Sequence, residues 1–72
     1  MKETVNHPDH YNQGTIEVID FIEAWGLNFS EGNVVKYITR YKYKGTPLKD
    51  LKKARTYIDR LIKAEESASE SR

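Results

Sequence analysis

Hydrophobic residues recur every three or four positions in three stretches of this chain, with polar residues between them. This spacing is that of an amphipathic α-helix, whose apolar face packs against a neighbour while the opposite face meets water. The pattern predicts helices over about residues 15–25, 31–44 and 47–65. The residues that we expect to form the shared core are Val18, Ile22, Trp25, Val34, Ile38, Leu51, Ala54, Ile58 and Leu61.

Turn-forming residues separate these stretches and predict where each helix begins and ends. Thr15 and Ser30 are suitable N-caps for the first two helices. Gly26 and Gly45 are suitable C-terminal stops. The pair Thr46-Pro47 predicts the cap and the first residue of the third helix, since proline is favoured at that position.

The length and composition limit what such a chain can build. A domain of 72 residues buries only about 60% of its unfolded surface, so its stability is marginal. Cysteine is absent, which excludes disulfides and thiolate metal sites, and we therefore expect the helices to gain stability by forming a homo-oligomer. The predicted fold is all-α, with an ordered N-terminal arm over residues 1–14, a three-helix domain over residues 15–65 and a disordered tail over residues 66–72.

The charges are distributed unevenly along the chain. Residues 1–32 carry Lys2 against six acids, whereas residues 33–55 carry eight basic residues against Asp50 alone. A basic segment confined to one part of the chain predicts a local anion-binding site. A nucleic-acid-binding domain more often carries a basic excess over its whole length, so the charge distribution disfavours that class. No stretch approaches the roughly 20 apolar residues of a membrane span, and residues 1–14 lack a signal-peptide core. We therefore expect a cytoplasmic protein with no membrane partner, and nucleic acid is a disfavoured partner.

The basic segment carries the strongest functional signal. At helical pitch, Val34, Ile38 and Tyr41 lie on one side of residues 33–45, and a polar, cationic stripe lies on the other. Lysine and arginine at this spacing can converge on phosphate oxygens, and a tyrosine ring can contact a base or sugar. A solvated helix face that is basic without any function is an equally weighted alternative. The stripe consists of Asn33, Lys36, Tyr37, Arg40 and Lys44.

The predicted N-terminal arm and the third predicted helix also contain candidate ligand-binding residues. The predicted arm contains two histidines that could bond phosphate and a tyrosine that either stacks on a ligand ring or pins the arm to the core. The third helix places Asp50, Lys53 and Tyr57 beside its apolar stripe, where they line a groove between helices or where Asp50 and Lys53 form an ordinary surface pair. The complete set of candidate ligand-binding residues is His7, Pro8, His10, Tyr11, Asn33, Lys36, Tyr37, Arg40, Lys44, Lys53 and Tyr57.

The sequence contains no recognisable catalytic set. It has no phosphate loop, no glycine-rich dinucleotide turn and no identifiable Ser/His/Asp or Cys/His arrangement, so we predict no catalytic residue, cofactor or metal site. Glu17, Asp20 and Glu23 form either a solvated face, which is favoured, or a set of Mg²⁺ ligands. His7 and His10 are a weak zinc signal, because no cysteine or third histidine accompanies them.

Four ordered blocks of the sequence resemble the SaV-like family of small bacteriophage proteins. They are HPDHY at residues 7–11, IEVID at 16–20, GNVVKYITR at 32–40 and DLKKARTY at 50–57, and the resemblance covers residues 7–62. Members of that family are often labelled nucleotide kinases. The family positions that this chain carries are His7, Pro8, His10, Tyr11, Asn33, Lys36, Tyr37, Arg40, Asp50, Leu51, Lys53, Ala54 and Tyr57.

These features lead to one preferred function and two alternatives. We expect a phage protein of the infected host's cytoplasm that sequesters a nucleotide, such as a cyclic or ADP-ribose-type immune signal, in basic-aromatic pockets between subunits. The first alternative is a nucleotide kinase with an intersubunit site that uses Glu17 or Asp20 for metal. The second is a DNA- or host-protein-binding module. Sequestration is preferred because phosphoryl transfer needs donor, acceptor and Mg²⁺ sites, for which one short chain has little room.

Overall fold

A computed structural model describes residues 16–70 of the chain, and these residues form three α-helices. Helix α1 spans Val18–Ala24, α2 spans Phe29–Arg40 and α3 spans Pro47–Glu70. The described range contains no strand, which confirms the predicted all-α class. The predicted arm over residues 1–14 and the predicted N-cap Thr15 lie outside the described residues.

Helix α1 begins later than predicted and ends at the predicted glycine. Gly26 has a positive φ of 63°, a conformation that favours glycine. Its N–H donates to the Glu23 carbonyl at 3.1 Å, and the Leu27 N–H donates to the Ile22 carbonyl at 3.0 Å. These two bonds form a Schellman motif, which satisfies carbonyl groups that the helix end would otherwise leave unpaired.

Helix α2 begins at a capping box that the sequence analysis missed. The Asn28 side chain accepts a hydrogen bond from the Glu31 N–H at 2.9 Å, and the Glu31 side chain accepts one from the Asn28 N–H at 2.8 Å. The predicted cap Ser30 is therefore wrong, and α2 begins two residues earlier than predicted. Asn28 prevails because its glutamate partner three residues later lets the box satisfy two backbone donors at once.

The connection between α2 and α3 is longer than predicted. Helix α2 ends at Arg40 rather than near residue 44, and the Tyr43 N–H donates to the Arg40 carbonyl at 2.9 Å in a tight turn. Gly45 has a φ of 89° within this connection. The chain reverses over residues 41–46, so that α3 runs back along α2 in an antiparallel hairpin.

Helix α3 continues well beyond its predicted end. It begins at Pro47, as predicted, and contains 24 residues, so it ends at Glu70 rather than near Glu65. The helix persists because residues 63–70 contain no glycine or proline and consist mainly of alanine and glutamate, which favour helix. Within residues 16–70, none of the helices has the length and apolar character that crossing a lipid bilayer requires.

Most of the predicted core is not buried. Ala54 is buried, with 2% of its surface exposed, but Trp25 is 71% exposed and Ile38 is 45% exposed. The buried residues also include Tyr37 and Asp50, which the sequence analysis placed outside the core. The prediction fails because α3 packs against the side of α2 that carries Tyr37, and the opposite apolar side of α2 is left only partly covered. Of the other predicted core residues, Leu51 and Ile58 are exposed, and Val18, Ile22, Val34 and Leu61 are half-buried.

Helix α1 packs on α2 through a glycine. A Cβ atom at Gly32 would lie 3.3 Å from Cγ2 of Ile22, so the absence of a side chain allows α1 to approach closely. Helix α2 therefore contacts both of the other helices, and its α3-facing side holds the candidate functional residues.

Candidate anion-binding site

Three cationic side chains surround the ring of Tyr37. The Lys36 Nζ lies 5.1 Å from the ring centroid, the Arg40 Cζ lies 5.1 Å from it and the Lys53 Nζ lies 5.5 Å from it. We call these three residues the cation cluster. At these distances each cation is attracted to the ring quadrupole, by about 0.5–1 kcal/mol at exposed positions. The tyrosine therefore helps to hold together three groups of like charge.

The cation cluster depends on the pairing of two helices. Lys36 and Arg40 are four residues apart on α2, so they share one side of that helix. Lys53 comes from α3 and reaches the same ring because the hairpin places it opposite Tyr37. Since the three charges repel one another, an anion that binds among them relieves this repulsion as well as gaining direct contacts.

Aromatic rings form the centre of the α2–α3 interface. The rings of Tyr37 and Tyr57 stack with their centroids 6.3 Å apart and an angle of 14° between their planes. Phe29 meets Tyr57 edge-on, with centroids 5.8 Å apart. Tyr37 is only 9% exposed, whereas Phe29 is 75% exposed. The direct contact of Tyr37 with a ligand base stays a prediction, and in the structure Phe29 is the more accessible of the two rings.

The remaining predicted site residues lie outside the cation cluster. Asn33 lies on α2, and its side-chain amide donates to the Phe29 carbonyl at 2.9 Å within the same helix. Lys44 lies in the connection after α2, and so it is not on the helical stripe that was predicted for it. The predicted site residues that fall outside the described range are His7, Pro8, His10 and Tyr11.

A shallow groove adjoins the site at the beginning of α2. Its volume is about 250 Å³, and Asn33, Lys36 and Phe29 contribute to its wall. An amide, an ammonium group and an exposed ring therefore share one concave surface. The other residues of the wall are Ile22, Leu27, Asn28 and Gly32.

The acidic residues of the first helical stretch do not form a metal site with one another. Glu17 is the N-cap of α1, and Asp20 and Glu23 lie within that helix. No group of three or more histidine, cysteine, aspartate or glutamate side chains able to hold a metal ion occurs within residues 16–70. The described carboxylates thus give no support to the predicted alternative of a Mg²⁺ site on this helix.

Asp50 is a residue of α3 whose burial the sequence analysis missed. It is 3% exposed, and its Oδ2 atom has no hydrogen-bond partner among the residues that the structure describes. Its position on α3 contained a usable signal. Asp50, Ala54, Tyr57 and Leu61 recur with spacings of four, three and four residues, which is a helical stripe, and the stripe faces α2.

Comparison with known proteins gives a family but no function. A family model described as a protein of unknown function, DUF3310, matches residues 5–59. No match was found among curated proteins or among solved structures. The matched range includes the cation cluster, Tyr37 and Asp50, and it ends within α3. Because it covers well over half of the sequence, the chain belongs to the DUF3310 family of proteins of unknown function.

Proposed function

We propose that this protein binds a phosphorylated nucleotide and sequesters it without turnover. The observation that carries the proposal is the cation cluster, in which Lys36, Arg40 and Lys53 lie within 5.1–5.5 Å of one ring centroid. Charge-assisted hydrogen bonds from lysine and arginine to phosphate oxygens are among the strongest that proteins make. Three such donors from two helices suit a ligand that carries more than one phosphate charge.

The rings beside the cluster favour a nucleotide over a simple anion. Phe29 is 75% exposed, and it lies in the groove that Asn33 and Lys36 also line. A base that stacks on this ring would leave its phosphate within reach of the lysine. Aromatic surfaces next to cationic groups provide both contacts that a nucleotide offers, namely a flat ring and a charged phosphate.

We further propose that the working form is a homo-oligomer. Large apolar side chains are exposed on all three helices, including Ile19 at 55%, Phe29 at 75% and Leu48 at 65%. The radius of gyration is 14.7 Å, compared with about 11 Å for a compact chain of this length. An elongated, sparsely buried protomer of this kind gains stability when a second copy covers its apolar surface, and such an interface would complete the pockets around the ligand.

The resemblance to small phage proteins supports a more specific ligand. Sequestration in the cytoplasm of an infected bacterium would have an anti-defence role if the ligand were a cyclic or ADP-ribose-type immune signal. The nucleotide-kinase label of that family is the alternative. It draws no support from the described carboxylates, because they do not converge on a metal site. Binding therefore remains our proposal in preference to catalysis.

Recovery of unchanged ligand tests this proposal. The full chain is incubated with mononucleotides, cyclic nucleotides and ADP-ribose derivatives, with and without ATP and Mg²⁺, and mass spectrometry then analyses the free and heat-released fractions. We expect at least one nucleotide to be depleted from solution and released intact by heat. A new phosphorylated product that requires ATP would instead establish the kinase alternative. Retention of none of these compounds, together with a salt-sensitive gel shift of DNA, would favour nucleic-acid binding.

Matched lysine variants connect the result to the cation cluster. Lys53→Gln removes one charge of the cluster, whereas Lys52→Gln removes the same charge from the neighbouring exposed position on α3. We expect Lys53→Gln to weaken nucleotide binding by about 10-fold or more, since it removes a charged hydrogen bond. Lys52→Gln should change it less than about twofold. Equal effects of the two variants would place the phosphate elsewhere.

A further inference from the structure

We infer that two copies of this chain associate through the exposed apolar surface opposite the cation cluster, with α1 of each copy packed over α3 of the other. This inference rests on the proposed homo-oligomer and adds the surface and the orientation of its subunits. It begins from the way in which the α2–α3 hairpin separates charged side chains from apolar ones.

Helix α3 carries different side chains on the two sides of the line that faces α2. That line runs through the buried Ala54 and the stacked Tyr57. At about 100° per residue, Lys53 lies on one side of the line, and Leu51 and Ile58 lie on the other. The side of α3 opposite its member of the cation cluster is therefore apolar.

Helix α2 is divided in the same way. Lys36 and Arg40 lie on one side of the line through Tyr37, and Val34 and Ile38 lie on the other. The α3 member of the cation cluster reaches the same tyrosine ring, so the cationic sides of the two helices coincide. Their apolar sides therefore also coincide, on the opposite surface of the hairpin.

Helix α1 extends this apolar surface. Val18 and Phe21 line one groove together with Val34 and Ile38 of α2. Continuous exposed apolar surface that spans several elements is typical of a protein interaction site. We call this surface the apolar face, and its exposed members on the three helices are Phe21, Ile38, Leu51, Ile58 and Ile62.

The charges at the two edges of the apolar face favour a second copy as the partner. The edge formed by α1 is acidic, since residues 16–28 carry three acidic residues and no basic one. The edge formed by α3 is basic, since residues 47–63 carry six basic residues against two acidic ones. An interface between two identical subunits must be complementary to itself. Two copies that turn this face toward each other can pair each acidic edge with a basic one.

Only one of the two possible two-fold arrangements makes these pairs. An axis perpendicular to the helices places α1 over α1 and brings the acidic edges together, which like-charge repulsion opposes. An axis parallel to the helices places α1 over α3 twice and preserves position along the hairpin. Asp20 and Arg55 are exposed at the two edges. They lie at similar heights, because Ile22 packs on Gly32 and Tyr57 stacks on Tyr37, and we therefore expect them to pair across the interface.

This dimer leaves both cation clusters on its outer surfaces. Lys36, Arg40 and Lys53 lie on the side of the hairpin that faces away from the interface, so the second copy does not block a ligand. A pocket between subunits then forms where further copies meet these outer surfaces. The dimer is thus the building unit of the proposed larger oligomer.

Charge exchange between two variants tests the inference. Asp20→Lys and Arg55→Glu each place two pairs of like charges in the dimer, and we expect each to raise the dissociation constant in sedimentation equilibrium by about 10-fold or more. An equimolar mixture of the two variants should associate about as tightly as the unmodified chain, since the mixed dimer contains only attractive pairs. Recovery in the mixture also shows that both variants are folded.

Glu23→Lys is the matched control. Glu23 is exposed on α1, on the side of that helix away from Phe21 and the apolar face. It therefore undergoes the same change of charge outside the expected contact. We expect this variant to change the dissociation constant by less than about threefold.

Other outcomes overturn the inference and separate it from nucleotide binding. Tighter association of Asp20→Lys would place α1 over α1. An oligomer that neither variant weakens would place the interface elsewhere, and weakening without recovery in the mixture would show that Asp20 and Arg55 do not meet across subunits. A monomer at every concentration would overturn the proposed homo-oligomer as well. Retention of a nucleotide is measured independently of all these results by the depletion experiment.

Discussion

The ring of Tyr37 contacts both the aromatic and the cationic parts of the α2–α3 interface. Tyr57 stacks on it, and the Lys36, Arg40 and Lys53 charges lie around it. A stacked aromatic pair contributes about 0.5–1.5 kcal/mol beyond its buried area, and each cation–π contact adds a comparable amount. The ring is thus a structural support of the cation cluster, whether or not a ligand touches it.

Substitution of Tyr37 separates the role of the ring from that of apolar volume. Tyr37→Phe keeps the quadrupole and the stacking, and we expect its free energy of unfolding to stay within about 1 kcal/mol of the unmodified chain. Tyr37→Leu keeps an apolar side chain but loses both interactions, and it should be less stable than Tyr37→Phe by about 2 kcal/mol. Urea denaturation followed by circular dichroism measures the difference. Identical stability of the two variants would show that neither the stacking nor the cation–π contacts of the ring stabilise the fold.

At the scale of elements, capping residues determine where each helix begins and ends. Where two capping residues compete, the one that satisfies more backbone groups prevails. Helix α2 begins at Asn28 because this residue and Glu31 form a reciprocal capping box. Ser30, which is also a favourable N-cap residue by type, lies within the helix instead. The cap therefore places Phe29 and Ser30 in the first turn of α2.

The capping box predicts unequal effects of two alanine substitutions. Asn28→Ala removes the side-chain acceptor, and we expect it to lower the free energy of unfolding by about 1 kcal/mol. Ser30→Ala removes a hydroxyl from within the first turn and should change stability by less than about 0.5 kcal/mol. Thermal denaturation of both variants at equal protein concentration provides the comparison. A larger loss in Ser30→Ala would contradict the observed start of the helix.

The sequence predicted the number and order of the helices, and it predicted less well which faces meet. The glycine stop at Gly26 and the proline start at Pro47 were correct because backbone requirements of single residues determine them. The burial of Tyr37 and Asp50 was missed because it depends on which side of α2 receives α3. Amphipathic patterns assume that apolar faces are buried within one chain, and this assumption fails when much of the apolar surface stays exposed. The positions of the candidate cations on their helices were predictable, but their convergence on one ring required the hairpin geometry.

At the scale of the whole molecule, residues 16–70 carry two extended regions of exposed apolar surface. One is a groove of about 430 Å³ between α1 and α2, lined in part by Phe21, Val34 and Ile38. The other lies along α3, where Leu48, Leu51, Ile58 and Ile62 are all exposed. Trp25 lies near the first region, with its ring centroid 6.2 Å from that of Phe21.

The single tryptophan of the chain provides a test of self-association. Trp25 is 71% exposed in the protomer, so its fluorescence emission should be that of a hydrated indole when the protein is monomeric. We expect concentrated samples to sediment as an oligomer and to show blue-shifted emission, because a second copy covers this surface. Dilution should reverse both changes. A monomeric mass at all concentrations would contradict the proposed oligomer, and an oligomer with unchanged emission would place the interface on α3.

The short connection over residues 41–46 also affects how quickly the candidate site forms. Every described residue of the site lies between Asn33 and Tyr57, within one antiparallel pair of neighbouring helices. Helical folds built from contacts close in sequence form in about microseconds to milliseconds, since little chain entropy is lost before the contacts are made. The lifetime of a bound ligand would then be limited by how often this hairpin opens, because a small molecule diffuses away faster than two helices pair again.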